Sequence, residues 1–167
     1  MKIRQETALA IFSASLSPEA ISELVGMPPT KSARMGERRT EPLPVPRKHQ
    51  WSLVERSNAR VGEQVGSLME RVYPAREHFI SVARQPGIEV GLMIVRYLQD
   101  PEGIEDSLGI HIPADAVIFL AEMNAAIDID EYDYGPAKPI AKQAARGSAV
   151  PRGKGRSPVT AAKSIRS

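Results

Sequence analysis

The chain has 167 residues, a hydrophobic fraction of 42% and no cysteine. The lack of cysteine excludes disulfides, zinc–thiolate sites, iron–sulfur clusters and cysteine nucleophiles. The longest apolar runs span five or six residues, far fewer than the ~20 that cross a bilayer, so the sequence predicts a soluble cytoplasmic protein.

The net charge of +2 hides two segments of opposite charge. Residues 1–134 contain all 20 acidic residues and 14 of the 22 Lys and Arg, which gives a net charge of −6. Residues 135–167 contain the other eight and no acid, which gives +8. Because this segment is also poor in large apolar residues, we predict one domain over 1–134 and a disordered basic tail over 135–167.

The first elements alternate between strand and helix signals. Apolar–polar alternation predicts a strand over Thr7–Ser15. Ser17 is suited to cap a helix whose first residue is Pro18, and Gly26 is suited to end it. The proline-rich, basic residues 30–48 are predicted to form a long loop.

The middle of the chain contains the main core elements. A second strand is predicted over Gln50–Glu55, with Trp51 facing inward. Apolar residues then recur every three or four positions from 61 to 82, which predicts a helix that Pro74 kinks. Ile88–Leu98 is apolar on both faces, so we predict a central and largely covered strand.

The last elements are shorter. Gly109–Ile112 is a candidate strand, and Pro113 begins a helix that runs to about Asn124. Ala126–Tyr132 alternates again and predicts a final strand, with Ile127 and Ile129 facing inward. The order predicts an α+β fold: a mixed or antiparallel sheet of four to five strands with helices packed on one face.

Four short segments carry a family resemblance. They are the run SPEAISELVGMPPT at residues 17–30, Gly36-Glu37, Trp51-Ser52-Leu53 and Ile127-Asp128-Ile129-Asp130. Over roughly residues 7–134 the chain resembles the bacterial and phage domain-of-unknown-function family 4279. The resemblance implies a compact α+β domain, and it suggests a role in toxin immunity or phage–host conflict. It supplies no catalytic residue.

Basic residues form two candidate contacts for an anion or nucleic acid. In the loop they precede the single Trp51, and arginine beside an aromatic ring is a common platform for such ligands. In the tail they resemble the composition of segments that hold nucleic acid non-specifically. A solvated loop and a merely solubilising tail are the alternatives, and an acidic protein partner is a third reading of the tail. The candidates are Lys31, Arg34, Arg38 and Arg39 in the loop and Lys138, Lys142, Arg146, Arg152, Lys154 and Arg156 in the tail.

Acidic residues cluster at the end of the last strand. Asp128 and Asp130 share a face, and their side chains are about two strand rises apart. In one interpretation, a hard cation such as Mg²⁺ bridges the two carboxylates. The other reading is a solvated edge whose like charges discourage strand pairing, and the sequence leaves this choice open. The three histidines, His49, His78 and His111, lack metal-ligand or catalytic spacing.

No catalytic set or phosphate-binding loop is recognisable, and we expect no cofactor. We therefore interpret the chain as a non-enzymatic module that binds a protein partner. The apolar pattern on both faces of Ile88–Leu98 supports this interpretation. The alternative is association with nucleic acid through the tail, and an unrecognised hydrolase is the third hypothesis.

Overall fold

The computed structural model describes residues 4–38, 44–98 and 109–133. The strands are β1 Arg4–Ser13, β2 Lys31–Ala33, β3 His49–Ser57, β4 Ile88–Leu98 and β5 Ala126–Asp133. The helices are α1 Pro18–Val25, α2 Val61–Val72, α3 Arg76–Ala83 and α4 Ala114–Glu122. None of the helices in these ranges is long and apolar enough to span a membrane.

The strands form one mixed sheet in the order β2-β3-β1-β4-β5. β1 lies in the middle and pairs antiparallel with both β3 and β4, so that Leu9 is level with Leu53 on one side and Leu92 on the other. β5 pairs parallel with β4. The predicted α+β class and the mixed sheet are confirmed.

The helices cover one face of this sheet and bury the core there. Leu9, Trp51 and Leu92 come from three neighbouring strands and are at most 1% exposed, as are Phe79 and Phe119 from α3 and α4. Their alternation along each strand places them on the same face. Burial of each such side chain contributes roughly 1.5–3 kcal/mol to the stability of the domain.

Local signals set the bounds of α1 as predicted. The Ser17 hydroxyl accepts a hydrogen bond from the Ala20 amide at 3.3 Å, and Pro18 is the first helical residue. Gly26 ends the helix at φ 75°, a conformation that costs glycine little because it has no Cβ.

Three predicted elements differ from those observed. Pro74 does more than kink one helix: a 3₁₀ turn over Tyr73–Ala75 separates α2 from α3, because proline has no amide proton to continue the ladder. The segment 30–48 includes strand β2, which pairs with β3. Gly109–Ile112 is not a strand; Gly62 of α2 packs against the His111 backbone.

Candidate functional site

Strand β5 has a free edge in the described part of the chain. Its residues pair with β4 from Ala126 to Asp133, and no other described strand pairs with it. A free strand edge presents N–H and C=O groups that form hydrogen bonds readily with another extended segment. A segment that bound at this edge would therefore contact both the backbone donors and acceptors of β5 and its side chains.

On the helix side of the sheet, β5 exposes two isoleucines. Ile127 is level with Leu92 and Ile129 with Ile94. Leu92 and Ile94 are fully buried, whereas Ile127 and Ile129 are each 42% exposed. The expectation that these isoleucines face inward was correct for their direction but wrong for their burial, because the helices in the described residues cover β4 and stop short of β5.

The helix that precedes β5 is also apolar on its outer side. α4 buries Ala116, Phe119 and Leu120, but Val117 and Ile118 remain 44% and 58% exposed. Together α4 and β5 contribute five of the eight exposed large hydrophobic side chains among the described residues. We name four of them the β5–α4 surface: Val117, Ile118, Ile127 and Ile129. The fifth, Tyr132, is level with Tyr97 and lies on the opposite side of the sheet.

On the opposite side of the sheet, β5 presents carboxylates. Asp128 and Asp130 are level with Met93 and Val95 of β4, and both are exposed. Beyond them, the rings of Tyr132 and Tyr97 stack with centroids 5.4 Å apart and planes 17° apart. Within the described residues, no third His, Cys, Asp or Glu lies close enough to join the two aspartates in a metal site.

An ion pair ties β5 to β4 on the helix side. Arg96 Nη1 donates to Glu131 Oε1 at 2.6 Å, and the Arg96 side chain is only 1% exposed. The sequence patterns did not predict this pair. A charged residue among the inward positions of an apolar strand was the available signal, because a buried charge requires a partner.

The structure separates the predicted basic loop residues. Lys31 lies in β2 opposite Ser52. Arg34 Nη2 instead donates to Glu19 Oε1 of α1 at 2.7 Å. Arg38 is exposed, and Arg39 lies outside the described residues.

The carboxyl of Glu19, which pairs with Arg34, has a lowered pKa. Hydrogen bonds from its own backbone amide and from the Ser17 hydroxyl lower the pKa of the Glu19 carboxyl, and Arg34 adds a smaller effect. Part of the positive charge of the loop is therefore compensated within the domain.

Trp51 is a core residue, as predicted. It is fully buried, its ring meets Phe79 edge to face with centroids 5.7 Å apart, and Nε1 donates to the Ser22 hydroxyl at 3.1 Å. The indole is therefore not a stacking platform beside the loop arginines.

A groove of about 280 Å³ lies on the face of the sheet opposite the described helices. Its apolar wall is formed by alternate residues of β4, which are only half-buried, so the expectation that β4 is largely covered was wrong for this face. Glu6 and Arg56 form an ion pair within the lining. The lining residues are Glu6, Ala8, Lys31, Gln50, Ser52, Val54, Arg56, Met93, Val95 and Tyr97.

Several predicted positions lie outside the described residues. They are the tail candidates Lys138, Lys142, Arg146, Arg152, Lys154 and Arg156. Of the three histidines, His49 Nδ1 accepts a hydrogen bond from the Met35 amide at 3.2 Å, and the other two are exposed.

Comparison with known proteins identifies the family. A family model described as a domain of unknown function (DUF4279) matches residues 2–134. The match covers most of the chain, which therefore belongs to this family. No curated protein and no solved structure matches the chain.

Proposed function

We propose that this DUF4279 domain is a non-enzymatic, cytoplasmic protein-binding module that contacts its partner through the β5–α4 surface. The observation that carries the proposal is the concentration of exposed apolar side chains on two consecutive elements at one end of the sheet. Large apolar patches on an isolated domain commonly mark interaction surfaces, since exposing them to water is unfavourable.

The chemistry of this surface favours a protein over a small molecule. Ile118 lies on the outside of a helix and Ile129 on an edge strand, whereas small-molecule sites are concave and enclose their ligands. Apolar side chains beside backbone groups that no described strand pairs with resemble half of a protein interface. Toxin immunity or phage–host conflict is the setting that we propose for such a module, and an adjacent toxin gene or phage structural operon would support it.

Matched substitutions test the proposal. Ile129 and Leu24 are both 42% exposed, but Leu24 lies on α1, outside the β5–α4 surface. We expect a partner captured from a nuclease-treated lysate of the source organism to be retained by the native chain and by Leu24→Lys. It should be lost from Ile129→Lys. Equal capture by both variants, with equal unfolding temperatures, would show that the surface does not bind the partner.

A second candidate is association with nucleic acid through the basic tail. The observation that favours it is the charge of +8 over residues 135–167, against −6 for the rest of the chain. A partner that disappears from the capture after nuclease treatment would favour this candidate over the first.

A further inference from the structure

We propose that the partner supplies an extended segment of alternating basic and apolar residues, which adds as a further strand to the edge of β5 that no described strand occupies. This inference rests on the proposed function and specifies the chemistry of the partner. Backbone hydrogen bonds to β5 would give affinity, and the side chains on its two faces would give specificity.

The two faces of β5 define the pattern of this segment. Asp128 and Asp130 lie on the face opposite the described helices, and Ile127 and Ile129 lie on the helix side. Neighbours across paired strands share a face, so residues opposite the aspartates should be Lys or Arg and the intervening residues should be apolar. Glu131 does not enter this pattern, because it lies on the helix side and binds Arg96.

The same charges disfavour a second copy of this chain as the occupant. Antiparallel pairing of two β5 strands centred on Ile129, with helices on the same side, would place Asp128 of each copy opposite Asp130 of the other. Like charges directly opposite one another destabilise a sheet, whereas opposite charges stabilise it. The acidic edge therefore disfavours self-pairing and favours a basic strand.

The probe for this inference is a dye-labelled, end-blocked peptide of ten alternating lysines and valines. Binding to the full chain is measured by fluorescence anisotropy. A peptide of the same composition, with its lysines and valines in two separate blocks, should bind at least several-fold more weakly. Equal binding of the two peptides would mean that charge alone attracts them and would overturn the proposal.

Backbone pairing is tested with two further peptides, N-methylated at every lysine or at every valine. N–H groups of alternate residues point to the same edge of a strand, so one of the two peptides should lose binding and thereby reveal the direction of the added strand. Undiminished binding of both would exclude strand addition.

Variants of the full chain locate the site. The double variant Asp128→Asn/Asp130→Asn should weaken peptide binding by about 2- to 30-fold, the expected range for two cross-strand charge pairs. Glu23→Gln/Glu70→Gln removes the same charge from exposed positions on α1 and α2 and should leave binding nearly unchanged. Equal weakening would overturn the proposal. If these tests fail while Ile129→Lys still abolishes partner capture, strand addition is wrong and the β5–α4 surface remains the binding site.

Discussion

The indole Nε1 of Trp51 donates to the hydroxyl of Ser22 across 3.1 Å and thereby joins strand β3 to helix α1. The same hydroxyl donates to the Pro18 carbonyl at 2.8 Å, so the buried ring packs against a fixed helix. Trp51→Ala should reduce the free energy of unfolding by about 3–5 kcal/mol through the cavity that it leaves. Chemical denaturation followed by circular dichroism measures this loss. A Trp51→Ala variant of native stability would show that the ring is not part of the core.

The pair formed by Arg96 and Glu131 should couple β4 to β5 energetically. Glu131→Gln should lower the free energy of unfolding by about 1 kcal/mol. The carboxylate forms a charged hydrogen bond with a buried guanidinium, but solvent reaches the Glu131 side chain and weakens this interaction. In an Arg96→Met background the same change should cost almost nothing. A double-mutant cycle on unfolding free energies measures the coupling, and additive effects of the two substitutions would contradict it.

Glu19 should make the stability of the domain depend on pH in acid. Hydrogen bonds from its own amide and from the Ser17 hydroxyl, followed by the charge of Arg34, hold the pKa of Glu19 below its ordinary value of 4.5. A depressed pKa stabilises the folded state above about pH 4.5, and this contribution disappears as the pH falls through the folded pKa. The gap in melting temperature between the native chain and Glu19→Gln should therefore be present at pH 6 and narrow toward pH 3. A constant gap would refute the linkage.

Two glycines of α2 should respond oppositely to substitution by alanine. A Cβ added at Gly62 would lie 2.9 Å from the His111 carbonyl oxygen, whereas nothing lies within 4 Å of one added at Gly66. Gly66→Ala should stabilise the chain by up to about 1 kcal/mol through helix propensity. Gly62→Ala should be less stable than Gly66→Ala by about 1–3 kcal/mol, because the backbone must move. Equal melting temperatures of the two variants would mean that residues 109–112 move away from the new Cβ without a measurable loss of stability.

Hydrophobic periodicity predicted those elements of the fold whose buried positions require apolar residues. The bounds of β4, Ile88–Leu98, were predicted without error, since an apolar run between Pro86-Gly87 and polar residues leaves little freedom. β2 was missed because Lys31-Ser32-Ala33 has no strand propensity of its own; its pairing with β3 makes it a strand. Sequence patterns report the preference of a residue, whereas pairing depends on distant partners.

The candidate site was only partly predictable for the same reason. Alternation placed Asp128 and Asp130 on one face and Ile127 and Ile129 on the other, as observed. It did not reveal that β5 is the last strand of the described sheet, and therefore that Ile129 remains exposed. Strand order depends on the connections through the core, which alternation within a single strand does not encode.

Any binding of nucleic acid should be governed by the tail and should be independent of sequence. Within the domain, Arg34 pairs with Glu19 and the ring of Trp51 is buried, so the loop offers no stacking platform. Each lysine or arginine that neutralises a phosphate of duplex DNA releases counterions and adds about 0.9 to the slope of log affinity against log salt.

Two triple variants of the full chain with equal charge change test this prediction. Arg152→Gln/Lys154→Gln/Arg156→Gln should lower the salt slope by up to about 2.7, which corresponds to three lost phosphate contacts. Lys31→Gln/Arg34→Gln/Arg38→Gln should leave the slope nearly unchanged, because the net charge of −6 over residues 1–134 repels phosphate. A larger effect of the loop variant would place the contact in the domain. If the native chain shows no binding near physiological salt, nucleic acid is not its ligand and the protein-partner proposal is favoured.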